Sequence, residues 1–269
     1  MSFGGFYGPT DEHQSHATLK KAIDLGIDHL DTANVYGDGV SEETIGSFLR
    51  NNPHRFHIAT KGGIVRHPVR GFNNRPDYLR QCLEESLKRL GREHVELYYV
   101  HRRDQSVPIE DVVGTLARFK EEGKIGAIGL SEISPASLER AQAVHPIAAV
   151  QSEYSLWTGL PELGKLQACK RHGAALVVFS PVGRGVFADV LPEPTTFGER
   201  DFRATSPRFQ EPNWGYNARR IAAFNDYARE QGFAPASLAI AWVLSRGEHV
   251  IAIPGTRSSA HLEQNAAGA

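Results

Sequence analysis

The chain has 269 residues, with 30 Lys and Arg against 31 Asp and Glu, a formal charge of −1 that gives no reason to expect a nucleic-acid or membrane-surface partner. Its 41% hydrophobic and 9% aromatic content can fill a core and excludes a disordered chain. No basic and then apolar leader opens the chain at Met1-Ser2-Phe3-Gly4-Gly5, no apolar run nears the roughly 20 residues of a membrane span, and two cysteines, Cys82 and Cys169, cannot build a disulfide framework; the expectation is a cytoplasmic protein with two reduced thiols.

Apolar spacing at i, i+3 and i+4 predicts helices, and short β-branched runs predict strands. Residues 14–26 put Leu19, Ala22 and Ile23 on one helical face, with Gly26 as the stop. His29-Leu30-Asp31 reads as a short strand, 41–50 as a helix capped by Ser41, and Phe56 to Thr60 as a strand. Residues 77–90 align Leu79, Leu83, Leu87 and Leu90 on a helix ended by Gly91, and Val95 to Val100 is a strand. A helix over 108–122 and a strand from Ile125 to Leu130 follow. Ser134-Pro135 opens the next helix as cap and first-turn proline, and Ile147 to Val150 is a strand. After a helix over 161–172 and a strand from Ala174 to Phe179, residues 184–214 break the rhythm as a long irregular excursion. Helices over 216–231 and 235–246 and a strand from Val250 to Ile253 close the series. Seven strands are explicit, and an eighth, clipped short, is expected in the first few residues. Strands alternating with helices imply parallel pairing and right-handed crossovers. The expected fold is α/β, one (β/α)8 TIM barrel over 1–269, favoured over an open doubly wound sheet.

A barrel demands chemistry at the C-terminal ends of its strands. Asp31, Lys61, His101, Ser131, Gln151, Ser180 and the run Pro254-Gly255-Thr256-Arg257 all fall there. Singly, each has an ordinary reading: Asp31 as a turn or cap, Tyr36 as a loop aromatic, Lys61 as a solvated lysine, His101 as a strand-end histidine. Together Asp31, Tyr36, Lys61 and His101 make one device. A phenol is a poor acid, with an ordinary pKa of about 10. A neighbouring ammonium pulls that value down, an aspartate keeps the lysine charged, and a histidine can bond the same substrate oxygen. The product is a proton donor aimed at a carbonyl oxygen.

Other motifs fail. Gly123 to Gly129 enters a strand, whereas a dinucleotide fingerprint leaves one. No P-loop is present, Gly129-Leu130-Ser131-Glu132-Ile133 lacks the second glycine of a nucleophile elbow, and His101-Arg102-Arg103-Asp104 lacks the asparagine of a kinase loop. Twelve histidines invite a metal, but no His-x-x-x-His helix or Cys-x-x-Cys pair exists, so none is expected.

The blocks Asp31-Thr32-Ala33-Asn34-Val35-Tyr36-Gly37 with Ser41-Glu42, Leu97 to Arg102, Gly129 to Glu132, Gln151 to Leu156, Phe179 to Gly185 and Ile253 to Thr256 resemble, in order, those of the aldo-keto reductase superfamily. The wording is most similar to the bacterial, fungal and plant branch of pyridoxal and general aldehyde reductases. The resemblance implies hydride transfer between NADP(H) and a small-molecule aldehyde or ketone. It makes Tyr36 the general acid, with Asp31 and Lys61 tuning it and His101 orienting the carbonyl. Ser131 and Gln151 would hold the carboxamide, and Phe179 would stack on the nicotinamide. Ser180, Val182, Gly183 and Gly185 would wrap the pyrophosphate, Arg257 and Ser258 would receive the 2′-phosphate, and Asn265 would contact adenine. An arginine at the ribose site favours NADP over NAD. Three features depart from the pattern: Glu132 stands beside Ser131 where asparagine is common, His261 and Gln264 replace an arginine and a glutamate, and both ends are short, so a truncated first strand and C-terminal helix are expected. Phe187, Phe197, Phe202, Phe209 and Trp214 of the excursion, with Trp157, could line a substrate pocket or pack the loop on the barrel. Two other functions compete: an NADPH-binding regulatory subunit with negligible turnover, and a Schiff-base lyase using Lys61. The lyase needs a neutral lysine, which Asp31 opposes.

Overall fold

The computed structural model describes every residue except Met1, Tyr7, Pro9, Pro53, His67, Glu199 and Arg200. Asp11 opens α1 (Glu12–Asp24) by accepting from the Gln14 N–H at 2.7 Å, which satisfies a free helix donor. Then follow β1 (His29–Asp31), α2 (Val40–Asn51), β2 (His57–Gly62), the hairpin strands β3 (Ile64–Val65) and β4 (Gly71–Phe72), α3 (Pro76–Leu90), β5 (Val95–Val100) and α4 (Ile109–Glu121). The second half runs β6 (Ile125–Ser131), α5 (Pro135–Gln142), β7 (Ala149–Glu153), α6 (Lys165–Arg171), β8 (Ala175–Phe179), α7 (Asn213–Glu230), α8 (Pro235–Leu244), β9 (Val250–Ala252) and α9 (Ser259–Ala266).

Among the described residues the main sheet has seven strands in the order β1-β2-β5-β6-β7-β8-β9, every pair parallel. Both faces are covered, which is why the strands read as continuous apolar runs. The outer face, with Ile58, Tyr98, Ile128, Val150 and Leu176, joins the main core beneath the helices. The inner face carries a smaller cluster of Ala59, Tyr99, Ala149 and Val177. Side chains two residues on share a face, so Lys61 follows Ala59, and Gln151 follows Ala149, onto the inner side at the C-terminal rim. An ion pair between Lys21 and Glu263 brings α1 against α9, the first helix against the last.

Several sequence expectations are corrected. The eighth strand is not formed among the described residues: Ser2–Gly4 make a 3-10 turn, and Phe6 and Gly8 an isolated bridge, with Met1, Tyr7 and Pro9 outside the description. The sheet is therefore open between β1 and β9 where a closed barrel was expected. Ser41 does not cap α2, since Gly39 holds that position and the Ser41 hydroxyl bonds Thr32 instead. The helix expected over 161–172 breaks at Gly164 into a 3-10 turn (Leu160–Leu163) and α6. β7 runs three residues further than expected, so Gln151 lies within it, and β2 likewise contains Lys61. The two-turn α9 follows the last loop. No helix among the described residues is long and apolar enough to cross a membrane, and Cys82 and Cys169 are both buried free thiols.

The excursion is built of short 3-10 turns, and α7 starts three residues earlier than expected. Its aromatics mostly pack on one another. Phe187 and Phe209 are buried in a cluster with Val186, Ile221 and Ala239, against which Trp157, Phe197 and Trp214 rest. Phe209 is the hub, with Trp157, Phe197 and Trp214 ring centres 5.3, 5.4 and 5.3 Å away.

Candidate active site

The loop after β1 carries Tyr36, and its neighbours fix it. Thr32 and Ser41 share a buried hydroxyl hydrogen bond at 2.9 Å. The Tyr36 N–H donates to the Ala33 carbonyl at 3.1 Å, and its own carbonyl accepts from the Ser41 N–H at 3.1 Å. Glu42, wholly buried, accepts from the Thr60 hydroxyl at 2.5 Å and from Arg89 Nε at 2.7 Å, tying α2 to β2 and α3. The Ser41-Glu42 pair is therefore a brace for the tyrosine loop. From the other side the N-terminal turn presses on the same backbone: a Cβ on Gly4 would lie 2.6 Å from the Tyr36 carbonyl carbon, so only glycine fits.

Lys61 is fully buried. Its ammonium donates to Asp31 Oδ1 and, at 2.7 Å, to the Thr32 carbonyl. It lies 5.1 Å from the centre of the Tyr36 ring. Burial favours the neutral amine, but the Asp31 carboxylate and the Tyr36 phenol outweigh it and hold the lysine pKa above its ordinary value. The second oxygen of Asp31 accepts from Gln151 Nε2 at 2.8 Å. His101 follows β5 and extends the ladder by donating its N–H to the Gly62 carbonyl at 2.8 Å. Its ring meets Tyr36 edge-on, with centres 5.6 Å apart and planes at 82°. Burial first, then the charges of Lys61 and Arg102, push the imidazole well below its ordinary pKa, so it is neutral at physiological pH.

Asp31, Tyr36, Lys61 and His101 thus come together as the sequence predicts, with one correction. Lys61 does pull the phenol down, but burial pushes harder in the opposite direction, and the net pKa of Tyr36 is raised. Neutral phenol is the state an acid catalyst needs.

The remaining predicted residues form an arc along the rim. Ser131 ends β6, buried, and accepts from Arg102 Nη1 at 3.0 Å. The Arg102 guanidinium also lies 6.0 Å from the centre of the Phe179 ring at the end of β8. Gln151, expected at the carboxamide, gives an amide hydrogen to Asp31. Glu132 turns toward β7, accepting from the Ser152 hydroxyl at 2.5 Å and the Glu153 N–H at 2.9 Å. After β8 the chain curls through four left-handed residues, Ser180 (φ 54°), Gly183 (59°), Arg184 (61°) and Gly185 (96°), which makes a concave turn of the kind that cradles anions. The Gly183 and Gly185 N–H groups close turns within this loop, to Ser180 and Val182 carbonyls at 3.0 and 3.1 Å, so these glycines shape the curl. Ser258 caps α9, its hydroxyl accepting from the His261 N–H at 3.4 Å. Arg257 stands just before that helix N-terminus. Asn265 is buried on α9, two turns and about 10 Å along the axis from Ser258. Gln264 is turned to Asp189, 2.6 Å away.

The excursion is latched to this arc by residues that sequence reasoning missed. Glu153, at the end of β7, accepts from Arg184 Nη2 at 2.6 Å and from Arg208 Nη1 at 2.7 Å. Asp201 is gripped by Arg203 at 2.6 Å, and the Arg257 charge reaches it too: burial raises its carboxyl, but these cations bring the pKa below the usual value. Arg102 belongs to a run, His101-Arg102-Arg103-Asp104, that carries no motif of its own. Its place directly after the strand-end histidine was the available signal.

The donor set suits a nicotinamide dinucleotide phosphate: an aromatic face and a hydroxyl at one end, a left-handed concave turn in the middle, and a cation at a helix N-terminus at the other. The buried Nδ1 of His101 has no hydrogen-bond partner among the described residues. A sequence profile of the Aldo/keto reductase family matches residues 1–269. The aldo-keto reductase yakc of Schizosaccharomyces pombe, whose name carries NADP(+), is 39% identical over 98% of this chain and 80% of its own length. A probable aldo-keto reductase 1 of Glycine max is 41% identical over 97% of this chain and 76% of its own. Among solved structures, the glycerol dehydrogenase AKR11B4 of Gluconobacter oxydans superposes with a TM-score of 0.88 at 30% identity, over 99% of this chain and 83% of that one.

Proposed function

The chain belongs to the aldo/keto reductase family, and on that premise we propose that it is an NADP(H)-dependent reductase of aldehydes or ketones with Tyr36 as its general acid. The observation that carries the proposal is the buried contact series from Asp31 through Lys61 and Tyr36 to His101. NADPH, when bound, supplies the hydride that adds to the carbonyl carbon. Tyr36 gives its hydroxyl proton to the carbonyl oxygen as that oxygen gains charge, a contribution of about 10²–10⁴ in rate. Lys61 stabilises the phenolate left behind, Asp31 keeps Lys61 charged, and neutral His101 orients the same oxygen by a hydrogen bond.

Ser131 and Phe179 receive the nicotinamide end, the Ser180–Gly185 turn the pyrophosphate, and Arg257 with the Ser258-capped helix the 2′-phosphate. The cofactor reading is supported by the NADP(+) in the name of the yakc relative and by Arg257 itself. The fold is read as a (β/α)8 barrel. Three contacts support closure of the gap between β1 and β9: Lys21 with Glu263 joins the first and last helices, Gly4 lies against the Tyr36 backbone, and Arg257 Nη1 stands 3.0 Å from a Cβ position on Gly8. The setting proposed is the cytoplasm, where Cys82 and Cys169 stay reduced. Trp157 and the half-exposed excursion aromatics form the substrate wall, and the buried Phe187 and Phe209 hold it up.

A screen of aliphatic and aromatic aldehydes, pyridoxal included, with NADPH oxidation followed by absorbance, tests the proposal. Turnover with at least one class is expected. Tight NADPH binding without turnover on any carbonyl would favour the regulatory-subunit alternative.

A further inference from the structure

Arg102 lies between the two residues assigned to the nicotinamide end. Its Nη1 donates to the His101 carbonyl at 2.7 Å and to the Ser131 hydroxyl at 3.0 Å, and the guanidinium carbon stands 6.0 Å from the Phe179 ring centre. Among the described residues no carboxylate pairs with it. Among the described acids at the strand ends, Asp31 is held by Lys61 and Gln151, Glu132 by Ser152 and the Glu153 N–H, Glu153 by Arg184 and Arg208, and Asp104 by Ser106 at 2.7 Å. The positive charge of Arg102 is therefore held by neutral acceptors, a carbonyl and a hydroxyl, with no carboxylate paired to it among the described residues. It is strong enough there to add to the depression of His101 and to oppose burial at Tyr36.

We propose that Arg102 sets the redox-state selectivity of the cofactor site, its fixed charge favouring the neutral reduced nicotinamide over the cationic oxidised one. The inference rests on the cofactor reading above. The two forms of the cofactor share their ribose and phosphate groups and differ in the charge of one ring. The ribose and phosphate anchors, from the Ser180 turn to Arg257, therefore bind both equally. A like charge beside that ring, in a half-buried site where screening by water is reduced, weakens the oxidised form and leaves the reduced form in place. By accepting Arg102 on one lone pair, Ser131 also keeps its own hydroxyl proton to donate to a carboxamide. The device suits a protein working in the direction of reduction, because the oxidised cofactor is the product that must leave.

Dissociation constants of NADPH and NADP+, measured by equilibrium titration of tryptophan fluorescence on wild type, Arg102→Gln and Arg102→Lys, test this without any turnover. Glutamine keeps a neutral amide donor without the charge, and lysine keeps the charge. Wild type is expected to bind NADPH more tightly than NADP+. In Arg102→Gln the ratio of the two constants should collapse by about tenfold, or about 1.4 kcal/mol, mainly through tighter NADP+ binding, and Arg102→Lys should restore it. A ratio unchanged in Arg102→Gln, or an equal weakening of both forms, would overturn the inference while leaving the cofactor assignment intact. Failure of the wild type to bind either form would overturn the cofactor reading and this inference with it.

Discussion

Gln151 and Asp31 are joined side chain to side chain at 2.8 Å, although they stand on β7 and β1. Those strands are four neighbours apart in the sheet order, about 19 Å if the sheet were flat. The contact exists because the sheet curls and both residues point inward. It gives Asp31 a second partner, so the carboxylate that orients Lys61 is itself held. Gln151→Leu should leave Asp31 Oδ2 without its donor in a buried place, at a cost of about 1.5–3 kcal/mol. For a chain of this size that lowers Tm by roughly 3–12 °C, measured by calorimetry without cofactor. If Tm holds and only NADPH affinity falls, Gln151 serves the carboxamide rather than Asp31.

Tyr36→Phe keeps the ring and its edge-on contact with His101 and removes only the hydroxyl. Carbonyl reduction should fall by about 10²–10⁴, with NADPH affinity nearly unchanged because Tyr36 is not one of the cofactor anchors. Parallel kinetics and fluorescence titration check both halves. Wild-type turnover in this variant would remove Tyr36 from the acid role.

Stability should fall on the acid side through His101. Burial, Lys61 and Arg102 hold its folded pKa well below the unfolded value of about 6.5. As pH drops through about 6.5 the unfolded chain takes up a proton that the native state refuses, so stability is complete above that pH and declines below it. His29, depressed mainly by burial, acts with the same sign. The loss of Tm between about pH 7.5 and about pH 5.5 should shrink in His101→Asn. An equal loss in the variant would assign the acid sensitivity elsewhere.

The alternation of strands and helices was legible because both sheet faces are buried and each helix has one apolar stripe. Leu79, Leu83, Leu87 and Leu90 mark α3 almost to the residue, and Val95 to Val100 marks β5 fully. The reading failed where a polar side chain answers to a distant partner. Gln151, Ser152 and Glu153 lie beyond the strand expected over Ile147 to Val150, yet they complete β7, since their partners are Asp31, Glu132 and the arginines of the excursion. Ser41 looked like a cap because nothing local announces Thr32. Tyr36 and the three residues around it, Asp31, Lys61 and His101, were legible from their chemistry and, for those three, from their strand-end positions. The direction of the phenol pKa was not, because the sequence displays the lysine beside it but not the depth of burial. Arg102 has no pattern of its own and became visible only once Ser131 and Phe179 were seen on either side of it.

Arg257→Ala should separate the two dinucleotides. The guanidinium stands before the N-terminus of α9, where backbone donors and the helix dipole already favour an anion. Charge-assisted bonds to a phosphate are worth about 1.5–3 kcal/mol, or roughly 10- to 150-fold in affinity. NADPH, which bears the 2′-phosphate, should lose that much, and NADH little. Equal losses for the two would remove Arg257 from the 2′-phosphate site.

Glu153→Gln should loosen the excursion. One carboxylate receives two guanidinium groups, Arg184 from the turn after β8 and Arg208 from the far end of the excursion, and Arg208 also bonds the Thr158 hydroxyl at 3.0 Å. The glutamate side chain is 12% exposed while the arginines are 21% and 34% exposed, so the pairs are only partly sheltered from water. Their loss is worth less than the roughly 3–5 kcal/mol of a fully buried pair. Burial alone would raise the Glu153 carboxyl, but the two arginines outweigh it and hold its pKa below the usual value, so the latch should weaken as pH falls through the carboxylate range. Because the aromatic cluster around Phe209 still anchors the middle of the segment, the variant should fold and retain most of its Tm. Its expected signature is local: faster cleavage within 184–214 under limited proteolysis, at unchanged cleavage elsewhere. NADPH should dissociate faster as well, since Arg184 belongs to the turn assigned to the pyrophosphate. Cleavage at the wild-type rate would mean that aromatic packing alone secures the excursion.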